Sequence, residues 1–509
     1  MWAALPPPVV AAGAGIGLGV VAAILLSTGS IVLAALPFAL LALLMPLLLA
    51  RDLQMLGLTL LLLALPFEAS LRVTGRGIDT EAVVAHIGLP PSTLLGIKVF
   101  PTDLFLAGML ALWLADLVRR RVRLQIPDLA WLALAYIGWG TLSAALEAQY
   151  PMLSAAELVH EYKYFVAFVY LSNFLDTRRR VGSVVHLVIF SIALEVVVTL
   201  ALWSGGYSRD SLADRLGLGV SHEYEFLRSE EQGIEVAENY RAAGTFGAAS
   251  HLSIYLQTVW PLALALLLVA TRPWRRLGLL ALFAGAASAV YVTGSRSGLI
   301  ALTAGITLIA GMAYWRGRLP NRTVLLSGYV VLVLAVGLSG PIYHYFTRRP
   351  DTFYQRFILL EQGRKLIVAN PVLGVGPNNS TAARVEIAAR NPAVDSRTRS
   401  IAPNDDLYPI HNQWVVSTAE RGLVGMALGI SFLLAVSRRA WRLTASTDPW
   451  IAGLAMAAIA SIACLGVQLM GDHFVGNAAH TMLWLWCAMV VALDRIDGAP
   501  REAGAQLRV

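Results

Sequence analysis

The stretch LGLLALFAGAASAVYVTGSRSGLIALTAGITLIAGMAYW, residues 277–315, decides the fold. It holds two apolar runs, 277–294 and 297–315, each near the ~20 residues a helix needs to cross the ~30 Å hydrocarbon core of a bilayer. Arg272, Arg275 and Arg276 precede the pair, and Arg316, Arg318 and Arg322 follow it. Arg296, in the turn VTGSRSG, therefore sits on the side opposite both arginine clusters. An arginine fully inserted at the hydrocarbon boundary costs about 2.5–3.5 kcal/mol, so Arg296 either snorkels outward or pairs with an anion.

Read outward, the same pattern fills the chain. Of 509 residues 57% are hydrophobic and 14% charged, and the mean hydropathy is +0.65. Apolar runs recur near 9–27, 30–50, 53–67, 101–118, 128–146, 161–176, 181–203, 250–271, 277–294, 297–315, 323–340, 412–436, 449–470 and 476–493. The expectation is an all-α polytopic membrane protein of about 14 transmembrane helices, forming one membrane domain over residues 1–509. The first run lacks a basic leader and a cleavage site, and is read as a retained helix. Cys464 and Cys487 fall inside apolar runs, which suggests neither a disulfide framework nor a zinc site. The formal charge of +7 comes from arginines between spans, as membrane insertion requires, and no nucleic-acid motif accompanies it.

Orientation follows from five basic turns: Arg119 to Arg123, Arg178 to Arg180, Arg272 to Arg276, Arg316 to Arg322, and Arg438 to Arg442. Each lies between alternate pairs of spans, so all fall on one side, which the positive-inside rule makes cytoplasmic together with both termini. Three loops then face outward: 67–100, 204–249 and 341–411. The second carries eight acids against four arginines. The third carries nine basic and six acidic residues, and a basic excess outside points to a bound anion, or else to a solvated amphipathic loop.

Within the third loop, residues 354–369 read as a short helix, with Phe357, Leu360 and Ile367 at helical spacing and Pro371 closing it. Arg356 and Arg364, eight residues apart on it, lie only ~80° apart around the axis and are placed to face one site. The turn NPVLGVGPNN follows, and its Gly374 and Gly376 allow close backbone approach to a ligand. Arg241, in NYRAAGTFG, stands before the next outer helix start and admits the same two readings as Arg296. His411 follows Pro409 and Ile410 at the start of a span, as a helix-terminal hydrogen bonder or a base. Glu420 lies near the outer end of that span and either joins a site or pairs with Arg421 or Arg364. Lys163 and Glu161 either contact lipid phosphate or snorkel. Glu195, deep in its span, is a functional carboxylate or one that pairs with a neighbouring helix. Asp472 and His473 fall in a short outer turn, which sequence alone neither joins to the site nor separates from it.

The order Arg241 in YRAAGTFG, Ser295-Arg296 in TGSRSG, Arg356 followed by Asn370-Pro371 and GVGPNN, then His411-Asn412 and Glu420-Arg421-Gly422, resembles the O-antigen ligase and polymerase superfamily. The resemblance covers residues 236–430. It implies a GT-C-type membrane glycosyltransferase of the bacterial inner membrane, with its active site facing the periplasm in a region that includes loop 341–411. The implied donor is a glycan on undecaprenyl diphosphate. The acceptor is a growing glycan, in O-antigen or exopolysaccharide polymerisation, or lipid A-core in ligation, and a chain-length regulator is a possible partner. Arg241, Arg296 and Arg356 occupy the family's diphosphate-binding positions, and Arg364 has a matching side chain and location. His411 occupies that of the general base or acceptor-orienting group, with Asn412 and Glu420 in support. No cofactor or metal is expected, since guanidinium forks bind a diphosphate bidentately. A transporter of lipid-linked anions is the other class, but neither an internal repeat nor a matched pair of broken helices supports it.

Overall fold

The computed structural model describes residues 52–66, 71–73, 97–204, 241–246, 248–319, 350–384, 410–473 and 476–498. The runs at 9–27, 30–50 and 323–340, the chain termini, and most of the three long loops lie outside the described residues. In chain order the elements are α1 (Leu53–Ala64), β1 (Leu71–Val73), β2 (Ile97–Val99), α2 (Pro101–Val118), α3 (Leu129–Glu147), α4 (Pro151–Phe174), α5 (Arg178–Ser204) and α6 (Ala249–Val269). They continue as α7 (Pro273–Val292), α8 (Arg296–Trp315), α9 (Pro350–Ala369), α10 (Gln413–Leu443), α11 (Pro449–Gln468) and α12 (Asn477–Gly498). β1 and β2 pair antiparallel, Leu71 opposite Val99.

Among the described residues, nine helices are long and apolar enough to cross a membrane: α2, α3, α5 to α8, and α10 to α12. Helices suit this solvent because they pair their backbone polar groups internally, which lipid cannot do. Their ends are marked in the sequence. Asp52, Ser295, Asn412 and Asp448 each accept a first-turn amide of the helix they cap, and proline opens α2, α4, α7 and α11, where its missing N–H is harmless.

Three expectations need correction. The run 53–67 forms only the 12-residue α1, about 18 Å long at 1.5 Å per residue and too short to span; Asp52 caps its start, and Pro66, which has no N–H to continue the ladder, follows its last helical bond, from Leu65 to Leu61. The run expected at 161–176 is the longer α4, whose Glu157, Glu161 and Lys163 keep it out of the nine. The short helix in the third loop starts earlier, at Pro350, and buries Leu359, Gln362, Gly363 and Leu366 while Phe357 is exposed.

The centre of the bundle is α6 and α11, with 78% and 72% of their spanning windows buried, against 17% for α2 and 22% for α7 on the periphery. Small residues bring the central helices together, as membrane packing favours. A β-carbon on Gly305 of α8 would stand 2.2 Å from Cys464 Sγ of α11 and 2.7 Å from the Trp260 ring of α6.

The bundle has two chemically different ends. At one, arginines tie helix termini together: Arg178 pairs with Asp448 and lies over Trp450, and Arg439 forks onto Asp128 at 2.7 and 3.0 Å while its Nε reaches Asp494 at 2.9 Å. Arg316 donates to Thr444 at 2.8 Å and covers Trp441. The opposite end carries the starts of α6, α8, α10 and α12.

Candidate active site

The hub of that second end is the turn between α11 and α12, residues Leu469 to His473. Gln413 N–H, at the start of α10, donates to Leu469 O at 2.9 Å and Asp472 O at 3.0 Å. Asn412 caps α10 through Oδ1 and donates from Nδ2 to Met470 O at 3.0 Å. His411 therefore arrives beside the turn, its ring 5.4 Å from that of His473 and inclined by 72°.

The start of α8 reaches the same turn. Ser297 Oγ donates to Asp472 Oδ2 at 2.7 Å, and Ser295 caps the helix through Gly298 N–H. Buried Asp472 also faces the Gln468 amide at 3.4 Å, itself bonded to Ser253 of α6. Arg296 is the first residue of α8, next to Ser297. Arg356 comes in from α9: its Nη1 lies 3.6 Å from where a Gly471 β-carbon would stand, as does Ser297 Oγ. Arg241 lies along the turn into α8, its Nε donating to Thr293 O at 2.7 Å across Gly294, whose φ of +65° and closeness to the arginine both require glycine. The loop bearing Arg241 is pinned from below by buried Glu195, which accepts from the Thr245 amide at 3.0 Å and its hydroxyl at 2.6 Å.

The structure thus brings Arg241, Arg296, Arg356, His411 and Asn412 to one end of the bundle: Arg241 and Arg296 at the turn into α8, and Arg356, His411 and Asn412 at the turn that also contributes Asp472 and His473. Arg364 does not join them. Its guanidinium forks onto Glu361 at 2.7 and 2.8 Å on the exposed side of α9, so the two arginines on that helix diverge.

The turn after α9 has a different role from the ligand approach expected of its glycines. α10 breaks at Gly422, with φ +66° and ψ −177°, which frees the carbonyls of Ala419, Glu420 and Arg421 from their helical partners. Such groups must be paired elsewhere. Val375 N–H donates to Ala419 O at 2.9 Å and Gly376 N–H to Glu420 O at 3.0 Å, while Leu423 N–H turns to Pro371 O at 2.8 Å. Ser143 and Trp139 of α3 complete the set on Glu420 O and Arg421 O. Gly374 and Gly422 are thus close to protein backbone: a β-carbon on Gly374 would meet the Glu420 carbonyl carbon at 2.3 Å, and one on Gly422 would meet Val372 O at 1.9 Å.

Glu420 and Glu161 belong to this seam. Glu420 Oε1 accepts from Ser380 at 2.7 Å, and Arg421 stands 3.8 Å from its other oxygen. Arg421 pairs with Glu161 of α4 and lies over the Tyr136 ring, with 3% of its side chain exposed. Glu161 is thus held inside the protein rather than snorkelling, and Lys163 pairs with Asp103 at 2.9 Å.

Electrostatically the end is prepared for an anion. The arginines cannot lose their protons near neutrality, and the starts of α8 and α10 add the positive ends of two helix dipoles. His473 is different. Burial first, then the His411 and His251 imidazoles beside it, pull its pKa down to about 3, so it is neutral at any ordinary pH. Sequence reading left Asp472 and His473 undecided because nothing in a short turn says which helix starts it meets. Among the described residues no group of three His, Cys, Asp or Glu is arranged to hold a metal ion.

Residues 281–430 match the family model of the O-antigen ligases. The O-antigen ligase match takes in Arg296, Arg356, His411, Asn412 and Glu420, together with the Gly422 seam, whereas Arg241, Asp472 and His473 lie outside it. No curated protein matches the chain. The family implies glycosyltransferase activity of the ligase or polymerase type on lipid-linked glycans, in a multi-pass membrane protein of polysaccharide biosynthesis.

Proposed function

We propose that the protein moves a glycan from an undecaprenyl-diphosphate-linked donor to an acceptor hydroxyl at the end of the bundle that bears Arg241, Arg296, Arg356 and His411. The observation that supports this reading is that the turn into α8, which bears Arg241 and Arg296, and the Leu469 to His473 turn, beside Arg356 and His411, are joined by the Ser297–Asp472 hydrogen bond opposite the arginine-tied end. By the positive-inside rule the arginine-tied end is cytoplasmic, which puts the site on the periplasmic face of the inner membrane. A polar path through the bundle centre would have favoured transport; α6 and α11, which fill that centre, are predominantly apolar.

The chemistry follows from the residue types. The anomeric carbon leaves a diphosphate that gathers negative charge as the bond breaks, and fixed guanidinium forks stabilise that charge without changing protonation. Arg241, Arg296 and Arg356 are assigned this role. The acceptor hydroxyl loses its proton as it attacks in line, to the His411 imidazole, and the anomeric centre inverts. Residues 236–430 are assigned as the catalytic region of a GT-C-type enzyme, and no metal is assigned a part.

Polymerisation of O-antigen or exopolysaccharide repeat units is the first reading, favoured by the long outer loops of the sequence; a chain-length regulator would then act alongside. Ligation to lipid A-core is the second, favoured by the description of the matching family. Purified protein in proteoliposomes, given undecaprenyl-diphosphate-linked oligosaccharide and a chelator, distinguishes them. A ladder of longer lipid-linked glycans without lipid A-core marks a polymerase, and transfer only when lipid A-core is added marks a ligase. No new glycosidic bond with either acceptor would overturn the proposal.

A further inference from the structure

We propose that His473 is a positioning residue for His411, its ring packed edge to face against the base's ring so that His411 is oriented to accept the acceptor's proton. The inference rests on the glycosyl-transfer reading and extends it to a residue outside the family match.

Geometry carries the argument. The two rings meet edge to face at 5.4 Å, and both are fixed from behind. His411 precedes Asn412 and Gln413, which are bonded to Met470, Leu469 and Asp472 backbone carbonyls. His473 follows Asp472, which is bonded to Ser297 and Gln468. The backbone beside each imidazole is thereby anchored to a helix start, which keeps the two rings within reach of each other.

The groups around His473 are His411 before α10, His251 on α6, its neighbour Asp472, and Arg356, which reaches the adjacent Gly471 from α9. The Asp472 carboxylate is engaged by Ser297. The setting is therefore one in which a second positive charge is disfavoured, and burial already keeps His473 in its neutral form. In the reaction the acceptor oxygen forms its bond to the anomeric carbon, and the bond from that carbon to the diphosphate oxygen breaks with its electron pair leaving on the diphosphate. The hydroxyl proton passes to a neutral nitrogen of His411. A charged neighbour would oppose that transfer; a neutral one at ring contact does not. The proton is afterwards released to water at the site's mouth.

The test is a set of pH–rate profiles for the proteoliposome reaction, with folding checked by melting temperature in detergent. His473→Arg places a fixed positive charge beside His411, and the acid limb of kcat should move to lower pH by about one unit with the neutral-pH rate down at least about tenfold. His473→Asp should move the limb the other way, so whichever variant folds decides the direction. His473→Gln stays neutral and should leave the limb in place while lowering kcat about tenfold, with the donor KM unchanged. An unmoved limb in a folded Arg or Asp variant, or full kcat in the Gln variant, overturns the role of His473 alone. Absence of transfer by the wild-type protein overturns the underlying function and this role with it.

Discussion

Replacing Gly422 by alanine tests the seam on which the position of Arg356 depends. The residue adopts φ +66° with ψ −177°, a region essentially confined to glycine, where a side chain costs about 1–3 kcal/mol. The added β-carbon would also stand 1.9 Å from Val372 O and 2.3 Å from Val372 C, both backbone atoms. They cannot rotate away as a side chain can, so the segment after α9 must lift. The Leu423 to Pro371 hydrogen bond, 2.8 Å in the native seam, is then lost, which adds about 0.5–1.5 kcal/mol. The sum, roughly 1.5–4.5 kcal/mol, is a substantial part of the about 5–15 kcal/mol that holds an ordinary domain together. Because α9 hangs from this segment, Arg356 should leave the Gly471 turn. Thermal unfolding in detergent should show a clearly lowered midpoint, and transfer by whatever remains folded should fall at least about tenfold. Gly278→Ala is the control: nothing lies within 4 Å of its β-carbon, and alanine there favours the helix by about 1 kcal/mol. A Gly422→Ala protein with wild-type midpoint and rate would refute the reasoning.

Three further outcomes are expected. Ser297→Ala removes a hydrogen bond to the Asp472 carboxylate, an interaction contributing about 1.5–3 kcal/mol, and should raise the donor KM through Arg296; an unchanged KM would contradict the link. Glu161→Ala leaves Arg421 buried without its closest carboxylate, and denaturation should report about 3–5 kcal/mol lost, whereas a loss under about 1 kcal/mol would mean the pair is solvated. His473, depressed from 6.5 to about 3, gives stability that is complete above pH 6.5 and is lost as pH falls towards 3, because the unfolded chain then binds the proton the folded one refuses. The melting midpoint of wild type should therefore fall more steeply over that range than that of His473→Gln, and equal slopes would count against it.

What could be read in the sequence was whatever local pattern encodes. Apolar length located the spans from α2 to α12, and the flanking arginines foretold the end where Arg178, Arg316 and Arg439 tie the helices. The run at 53–67 misled because hydropathy does not register how early Pro66 ends a helix. Glycine was legible as a close approach at 374 and 376, but not what approaches: the partner, the broken α10 at Gly422, depends on a backbone angle that sequence does not display. Arg356 and Arg364 were given a common face by helical spacing, and Glu361, one turn from Arg364, drew the second away. Contacts between distant segments were hidden altogether. Glu161 meets Arg421 and Ser297 meets Asp472 only because α4, α8, α10 and the α11–α12 turn converge in space, and the same convergence sets His473 against His411.

The most direct measurement is the affinity of the purified protein for undecaprenyl diphosphate, by titration in detergent, for wild type and for Arg241→Lys, Arg296→Lys, Arg356→Lys and Arg364→Lys. Lysine keeps the charge but not the bidentate fork. The account predicts that the first three each weaken binding by about tenfold or more, equivalent to ~1.4 kcal/mol, and that Arg364→Lys, altered on the exposed side of α9, leaves it unchanged. Undiminished binding in the first three, or an equal loss at Arg364, would contradict the assignment of the diphosphate to the turn between α11 and α12.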